Sequence, residues 1–247
     1  MSGRRIVVAG ASRGIGAALA AHLEGQGDAV IALSRSPAAH GRWIACDLAS
    51  PAAIAAAAAA IGGRVDALVF VAGIWEATAF SPDYRFDDRP AAETEAILAV
   101  NLRAPILLAQ ALLPALSPGA AGPAGPAGQA GQEGQAGQAG RTGRIVLIGS
   151  TSGLENNGAP EVAYNASKAG LRGAAQALAV ALAGRGIGVT IINPGDVGSE
   201  GVIAGKAAGT MRPGGSIALR DVVAAVDFAL GLSATATASE INLVPVP

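Results

Sequence analysis

Short runs of β-branched and other apolar residues, bounded by Gly or Asp, alternate along the chain with longer stretches rich in Ala and Leu. Apolar runs without a polar alternation predict strands buried on both faces, and the stretches between them predict crossover helices, the pattern of repeated βαβ units. Strands are predicted at Arg5 to Ala9, Ala29 to Leu33, Trp43 to Cys46, Ala67 to Val71, Arg144 to Ile148, Gly188 to Ile192 and Glu240 to Val244. The clearest helix start is Ser50-Pro51, a hydroxyl N-cap followed by proline at the first helical position, leading into Ala52 to Ile61. These elements predict an α/β fold: one Rossmann-type, doubly wound domain over residues 1–247, its seven-stranded parallel sheet flanked by helices on both faces.

Residues 117–143 break the pattern. From Gly119 to Gly143 glycine recurs at every third position, nine times. A collagen triple helix needs glycine at that period. The repeat is short, however, and lies between a predicted helix and a predicted strand, so it reads as a flexible insertion in a surface loop.

Composition narrows the function classes. At 51% hydrophobic residues and a net charge of -1, the 247-residue chain carries enough apolar surface to offset its ordering entropy. With 17 basic against 18 acidic residues it lacks the positive footprint of a nucleic-acid binder. Mean hydropathy is +0.44. Yet the longest uncharged run, Ala104 to Gln132, is interrupted by Pro105, Pro114, Pro118 and regular glycines, so no membrane span is expected. Cys46, His22 and His40 stand at no metal-ligand spacing, and no metal is expected. Met1-Ser2-Gly3-Arg4-Arg5 leads straight into a strand, and the expectation is a soluble, cytoplasmic protein.

The first strand ends in Val8-Ala9-Gly10-Ala11-Ser12-Arg13-Gly14-Ile15-Gly16 and enters a helix. Glycines at such a turn let the backbone approach a pyrophosphate, whose charge the helix N-terminus stabilises. The second strand ends in Ser34-Arg35, where an acid would bind a ribose 2'-hydroxyl and a base accommodates a 2'-phosphate. With Arg35 there, and Arg13 as a second cation, NADP(H) is expected in preference to NAD(H).

A second constellation carries the chemistry. Ile148-Gly149-Ser150 ends the fifth strand, and Tyr164-Asn165-Ala166-Ser167-Lys168 places tyrosine and lysine on one helical face. A nearby ammonium would lower the phenol's pKa and make it a proton donor usable near neutral pH. Ser152 competes with Ser150, but only Ser150 ends the strand, at the sheet edge where open α/β folds bind ligands.

With Gly10, Gly14, Gly16, Asn101, Ser150, Tyr164 and Lys168 in that order, the chain resembles the short-chain dehydrogenase/reductase family, of the NADP(H)-preferring carbonyl reductase type. The resemblance implies the roles. Tyr164 protonates the carbonyl oxygen, Ser150 hydrogen-bonds it, Lys168 lowers the tyrosine pKa and holds the nicotinamide ribose, and Asn101 holds a water of the proton relay. It also assigns Ser12, Ile15, Ala72 and Gly73 to the cofactor, Asp47 to the adenine amino group, Pro194 and Gly195 to the strand end beside it, and Val197 and Ser199 to the nicotinamide carboxamide. The chain departs from the family in having Val71-Ala72 before Gly73, where an asparagine usually stitches the sheet. Its Ser239-Glu240-Ile241-Asn242 ending is similar to that of a subgroup of NADP-dependent alcohol and hydroxy-acid dehydrogenases.

Five of the eight aromatic residues lie between positions 70 and 86, and Trp75 and Phe80 are expected to line an apolar substrate pocket or to cover the sheet end. Gly198 to Ser216 falls where the family carries a substrate lid. The function implied is hydride transfer to a ketone or aldehyde, reversible as alcohol oxidation. A 3-oxoacyl carrier-protein reductase, with Arg141 and Arg185 docking an acidic carrier, and a silent NADP(H)-binding sensor or scaffold are the alternatives. The partners implied are a small carbonyl or alcohol substrate and further copies of the chain, as a homodimer or homotetramer through the helices beginning near Asn101 and Val162.

Overall fold

The computed structural model describes residues 3–116, 143–155 and 159–246; the proposed insertion lies outside them except for Gly143. Strand β1 (Arg5–Ala9) leads to α1 (Gly14–Gly25), β2 (Ala29–Ser34), β3 (Arg42–Ala45), α2 (Pro51–Ile61) and β4 (Ala67–Phe70). Helix α3 (Ala91–Leu98) continues through a π turn, Ala99–Arg103, into α4 (Ala104–Leu116). Then come β5 (Gly143–Ile148), α5 (Val162–Leu182), β6 (Ile187–Pro194), α6 (Glu200–Ala207), α7 (Leu219–Gly231) and β7 (Glu240–Leu243). All pairings are parallel, in the order β3-β2-β1-β4-β5-β6-β7, a seven-stranded sheet of the Rossmann type. Every predicted strand is present, and β6 runs further than expected because Asn193 and Pro194 pair with Asn242 and Leu243 of β7.

Alternate residues of each strand feed two cores. Val7, Leu33, Leu68, Ile145 and Ile191 face α2, α4 and α5, where they meet Ile54, Leu108, Leu112 and Leu171. Ile6, Val8, Val69, Val146 and Ile192 face α1 and α7, against Leu19, Leu23, Val226 and Leu230. The Ser50 hydroxyl caps α2 as expected, accepting from Ala53 N at 3.2 Å. Two arginines hold helix ends. Arg5 donates to the carbonyls of Ile61, Gly62 and Arg64 after α2, and buried Arg144 donates to Leu232, Ser233 and Ala236 after α7. A cation there satisfies orphan carbonyls and opposes the negative end of the helix dipole.

One expectation needs correction. Pro105 and Pro114 do not interrupt the apolar run: Ala91–Leu116 is a continuous helical stretch, apolar and long enough to cross a bilayer by length and composition. At Pro105 the π turn explains the tolerance, since its wider bonding, with Ala104 N donating to Ala99 O, directly precedes that residue and loosens the regular ladder there; Pro114 lies inside α4. Ala104, Leu108, Ala109, Leu112 and Leu116 are buried in the core beside the sheet, the position of a core helix.

Candidate active site

The strand order reverses between β1 and β4, so the crevice outside their carboxyl ends is the ligand site expected of this topology. The turn after β1 is shaped by close backbone approach. Gly10 has φ +97, and a Cβ there would meet Ala72 N at 2.6 Å; a Cβ on Gly16 would meet the Gly10 carbonyl oxygen at 2.1 Å. Ala72 N and Gly10 N bond in turn to Ala9 O and Leu33 O, which ties the strand ends together at this turn. At Gly14 a Cβ would meet nothing within 4 Å. No side chain caps α1 and no acid stands in its first turn, which leaves its leading N–H groups to an anion.

Arg13 and Arg35 emerge, exposed, from the neighbouring ends of β1 and β2. Ser34 is buried, its hydroxyl donating to Ser36 O at 2.7 Å and ordering the bend that carries Arg35. Asp47 Oδ1 accepts from Ala49 N at 3.0 Å, so the turn leading to α2 uses one carboxylate oxygen. Beyond β6, Gly195 N donates to Leu243 O, Val197 bridges to Ile217, and the Ser199 hydroxyl makes no capping bond to α6.

The expected catalytic residues converge at the carboxyl ends of β4, β5 and β6. The Tyr164 hydroxyl is hydrogen-bonded to Ser150, which follows β5, and Ser150 Oγ accepts from Ser152 N at 3.1 Å. Ser150 is thus the partner of the phenol. Lys168 lies one turn along α5, its Nζ 5.7 Å from the Tyr164 ring centroid and donating to Ile148 O at 2.9 Å. Asn101 sits fully buried in the π turn. Its Nδ2 donates to Ile74 O and Ser167 Oγ, and its Oδ1 accepts from Ile74 N at 2.9 Å. These bonds fasten the loop after β4 to α5 and leave one Oδ1 lone pair for the water that the resemblance assigns to it.

Electrostatics differ from the expectation. Burial pushes the Tyr164 phenol up to about 12, opposed by the Ser150 hydrogen bond and reinforced by the negative charges of Asp196, Glu161 and Glu76. Burial also brings the Lys168 ammonium down to about 8, while it donates to Ile148 O. The phenol is therefore held protonated, the state of a proton donor.

Trp75, Phe80 and Tyr164 form an edge-to-face trio, with ring centroids 5.4 Å apart for Phe80 and Tyr164 and 5.8 Å for Trp75 and Phe80. Phe80 lines a cavity of about 280 Å³ with Thr151, Ser152, Asp196, Met211 and Arg212. Its φ of +63 is unfavourable for a side chain of this size. Two bonds hold it there: Phe80 N donates to Glu161 Oε1 at 2.7 Å, and Phe80 O accepts from Arg212 N at 2.7 Å. Arg212 also pairs with Glu161 through its side chain. Residues 198–216 and the aromatic segment are thereby joined.

Glu76, Glu161, Tyr84 and Arg212 escaped the sequence reading. Their only local signal is polarity, since each is a charged or phenolic residue in a short irregular segment, and the partners lie far along the chain. Among the described residues no group of three or more His, Cys, Asp and Glu could hold a metal.

A doubly wound sheet with a glycine-lined helix N-terminus at its switch point, beside a Ser-Tyr-Lys group, defines a nucleotide-dependent oxidoreductase. Residues 4–206 match the short chain dehydrogenase family model, and the chain belongs to that family. It is 30% identical over 208 residues to the short chain dehydrogenase ausX of Penicillium brasilianum, covering 80% of this chain and 70% of the relative. It is 30% identical over 211 residues to the 3-oxoacyl-[acyl-carrier-protein] reductase FabG of Escherichia coli K12, covering 80% of this chain and 75% of that one. A metagenomic short-chain oxidoreductase solved in complex with NADP superposes with a TM-score of 0.74 at 30% identity, covering 100% of this chain and 98% of the other.

Proposed function

We propose that this oxidoreductase is an NADPH-dependent carbonyl reductase, reducing a ketone or aldehyde and reversibly oxidising the alcohol. The observation that carries the reading is the buried Tyr164 hydroxyl, bonded to Ser150 and backed by Lys168, at the sheet edge beside the glycine cradle. The close approach at Gly10 and Gly16 and the uncapped start of α1 fit a pyrophosphate, and Arg13 and Arg35 fit a 2'-phosphate. NADP(H) is accordingly the preferred cofactor; Asp47, Ala72, Gly73, Val197 and Ser199 border the same crevice. When bound, it supplies the hydride.

The chain's own residues handle the proton. Tyr164 donates its hydroxyl proton to the substrate oxygen, Ser150 donates a hydrogen bond to that same oxygen, and the Lys168 ammonium supports the negative charge developing on the phenol. Trp75 and Phe80 wall the substrate side. Phe80 also borders the cavity of about 280 Å³ beside Ser152 and Asp196.

Purified protein with NADPH and a panel of aromatic ketones, diketones and acetoacetyl thioesters tests the reading. Oxidation of NADPH by free ketones supports it. Turnover restricted to carrier-linked thioesters favours the 3-oxoacyl carrier-protein reductase, the activity of the E. coli relative, and cofactor binding with no turnover favours a sensor. Arg35→Ser is expected to shift the kcat/KM ratio from NADPH toward NADH by about 10- to 100-fold, the worth of a charge-assisted phosphate contact. An unchanged ratio would place the guanidinium in solvent. Exposed Ile106, Val162 and Val180 on α4 and α5 support assembly as a homodimer or homotetramer. The proposed location is the cytoplasm.

A further inference from the structure

The catalytic helix does not cap itself. Glu161, the residue before α5, makes no side-chain capping bond to it, and the leading N–H groups find partners elsewhere. Glu76 Oε1, from the loop after β4, accepts from Ala163 N at 2.9 Å and from Tyr164 N at 3.1 Å. Tyr84 Oη accepts from Val162 N at 3.3 Å. Glu76 is 1% exposed, and its second oxygen is buried without a hydrogen-bond partner. Burying a carboxylate is costly unless its contacts are strong, and a helix N-terminus with two converging N–H groups provides such contacts. Because Asn101 holds the same loop through both backbone groups of Ile74, the loop is pinned on either side of Trp75.

The geometry points to Glu76 as a positioning residue for Tyr164: its buried carboxylate grips the backbone of the residue that bears the phenol and fixes that phenol against the substrate wall of Trp75 and Phe80. The inference rests on the reading of Tyr164 as proton donor. Glu76 does not touch substrate or cofactor; it acts through the first turn of α5. Its charge also acts on the phenol, alongside Lys168 from α5, Asp196 from the segment after β6, and Glu161, which Arg212 partly neutralises. Removing the Glu76 charge while keeping the oxygen separates placement from electrostatics.

Glu76→Gln leaves an amide oxygen to accept both N–H groups, whereas Glu76→Ala leaves none. In the full-length, NADPH-loaded protein, Glu76→Ala is expected to lower kcat for ketone reduction about 10- to 100-fold, the loss typical of a misplaced reacting group, with ketone KM and NADPH affinity little changed. Glu76→Gln is expected to retain most of kcat. The chain has only two tyrosines, Tyr84 and Tyr164, so NMR of Cζ-labelled tyrosine, assigned with Tyr164→Phe, reads the phenol directly. In Glu76→Gln the Tyr164 titration is expected to move to lower pH, because one negative charge facing the phenol is gone. Wild-type kcat in Glu76→Ala, or an unmoved Tyr164 titration in Glu76→Gln, overturns the inference. Should Glu76→Ala not fold, Glu76→Asp, whose shorter side chain withdraws the carboxylate from the two N–H groups, takes its place, and wild-type kcat there overturns the inference. A wild-type protein that reduces no carbonyl would refute the proposed function, while the NMR titration would still report the coupling of Glu76 to Tyr164.

Discussion

Tyr164→Phe is expected to reduce carbonyl turnover by about 100- to 10,000-fold, the range supplied by a positioned general acid, while NADPH binds as in the wild type. Phenylalanine keeps the ring, so the edge contacts with Trp75 and Phe80 persist and the pocket keeps its shape. What disappears is the hydroxyl bonded to Ser150. The pH dependence adds a signature. With the phenol pushed up to about 12, the proton donor remains protonated through the neutral range, and reduction is not limited by its loss. Lys168, brought down to about 8, loses its charge as the pH rises through that value, and reduction should decline there because a neutral amine no longer supports the charge developing on the phenol. Alcohol oxidation needs the phenol's proton removed, so its chemical step should instead accelerate with rising pH. Steady-state rates in both directions across a pH series check both signs. Comparable turnover in Tyr164→Phe would mean the proton comes from another group.

Gly16→Ala is expected to abolish tight NADPH binding and to lower Tm by about 2–10 °C, the effect of about 1–3 kcal/mol of overpacking in a chain of this size. The added Cβ would lie 2.1 Å from the Gly10 carbonyl oxygen and 2.8 Å from its carbon. Both are backbone atoms, and Gly10 is itself packed against Ala72, so neither side of the turn can yield without opening the cradle. Gly25→Ala, at the other end of α1 where a Cβ meets nothing within 4 Å, is the control and should leave binding unchanged. Titration calorimetry with NADPH and thermal melts separate the two. Unaltered NADPH affinity in Gly16→Ala would remove the pyrophosphate role of this turn.

Why these residues could be found from sequence differs from case to case. Gly10, Gly14 and Gly16 announce themselves because a close turn between a strand and a helix tolerates little else, and Tyr164 and Lys168 because helical spacing puts them on one face without tertiary help. The strands were legible for a similar reason: a parallel sheet covered on both faces demands unbroken apolar runs, and such runs are visible in one dimension. The π turn at Ala99–Arg103 was not, since the bonding change depends on how Asn101 is held by Ile74 and Ser167, residues distant in sequence. Ser150 could be preferred over Ser152 from its place at the strand end; the hydrogen bond to Tyr164 made the distinction physical.

The linear chain by itself determined the fold class, the phosphate turn, the Ser150, Tyr164 and Lys168 group, and the basic residues Arg13 and Arg35 beside the nucleotide crevice. Each follows from local periodicity or from steric and charge requirements satisfied within a few residues. Folding decided the electrostatics and the support of the site. Burial reversed the expected effect on the phenol, Glu76 and Tyr84 supplied caps that α5 lacks in its own sequence, and Glu161 and Arg212 fixed Phe80. Those contacts join residues far apart along the chain, and desolvation depends on everything packed around a group, so neither exists until the sheet has brought its strand ends together.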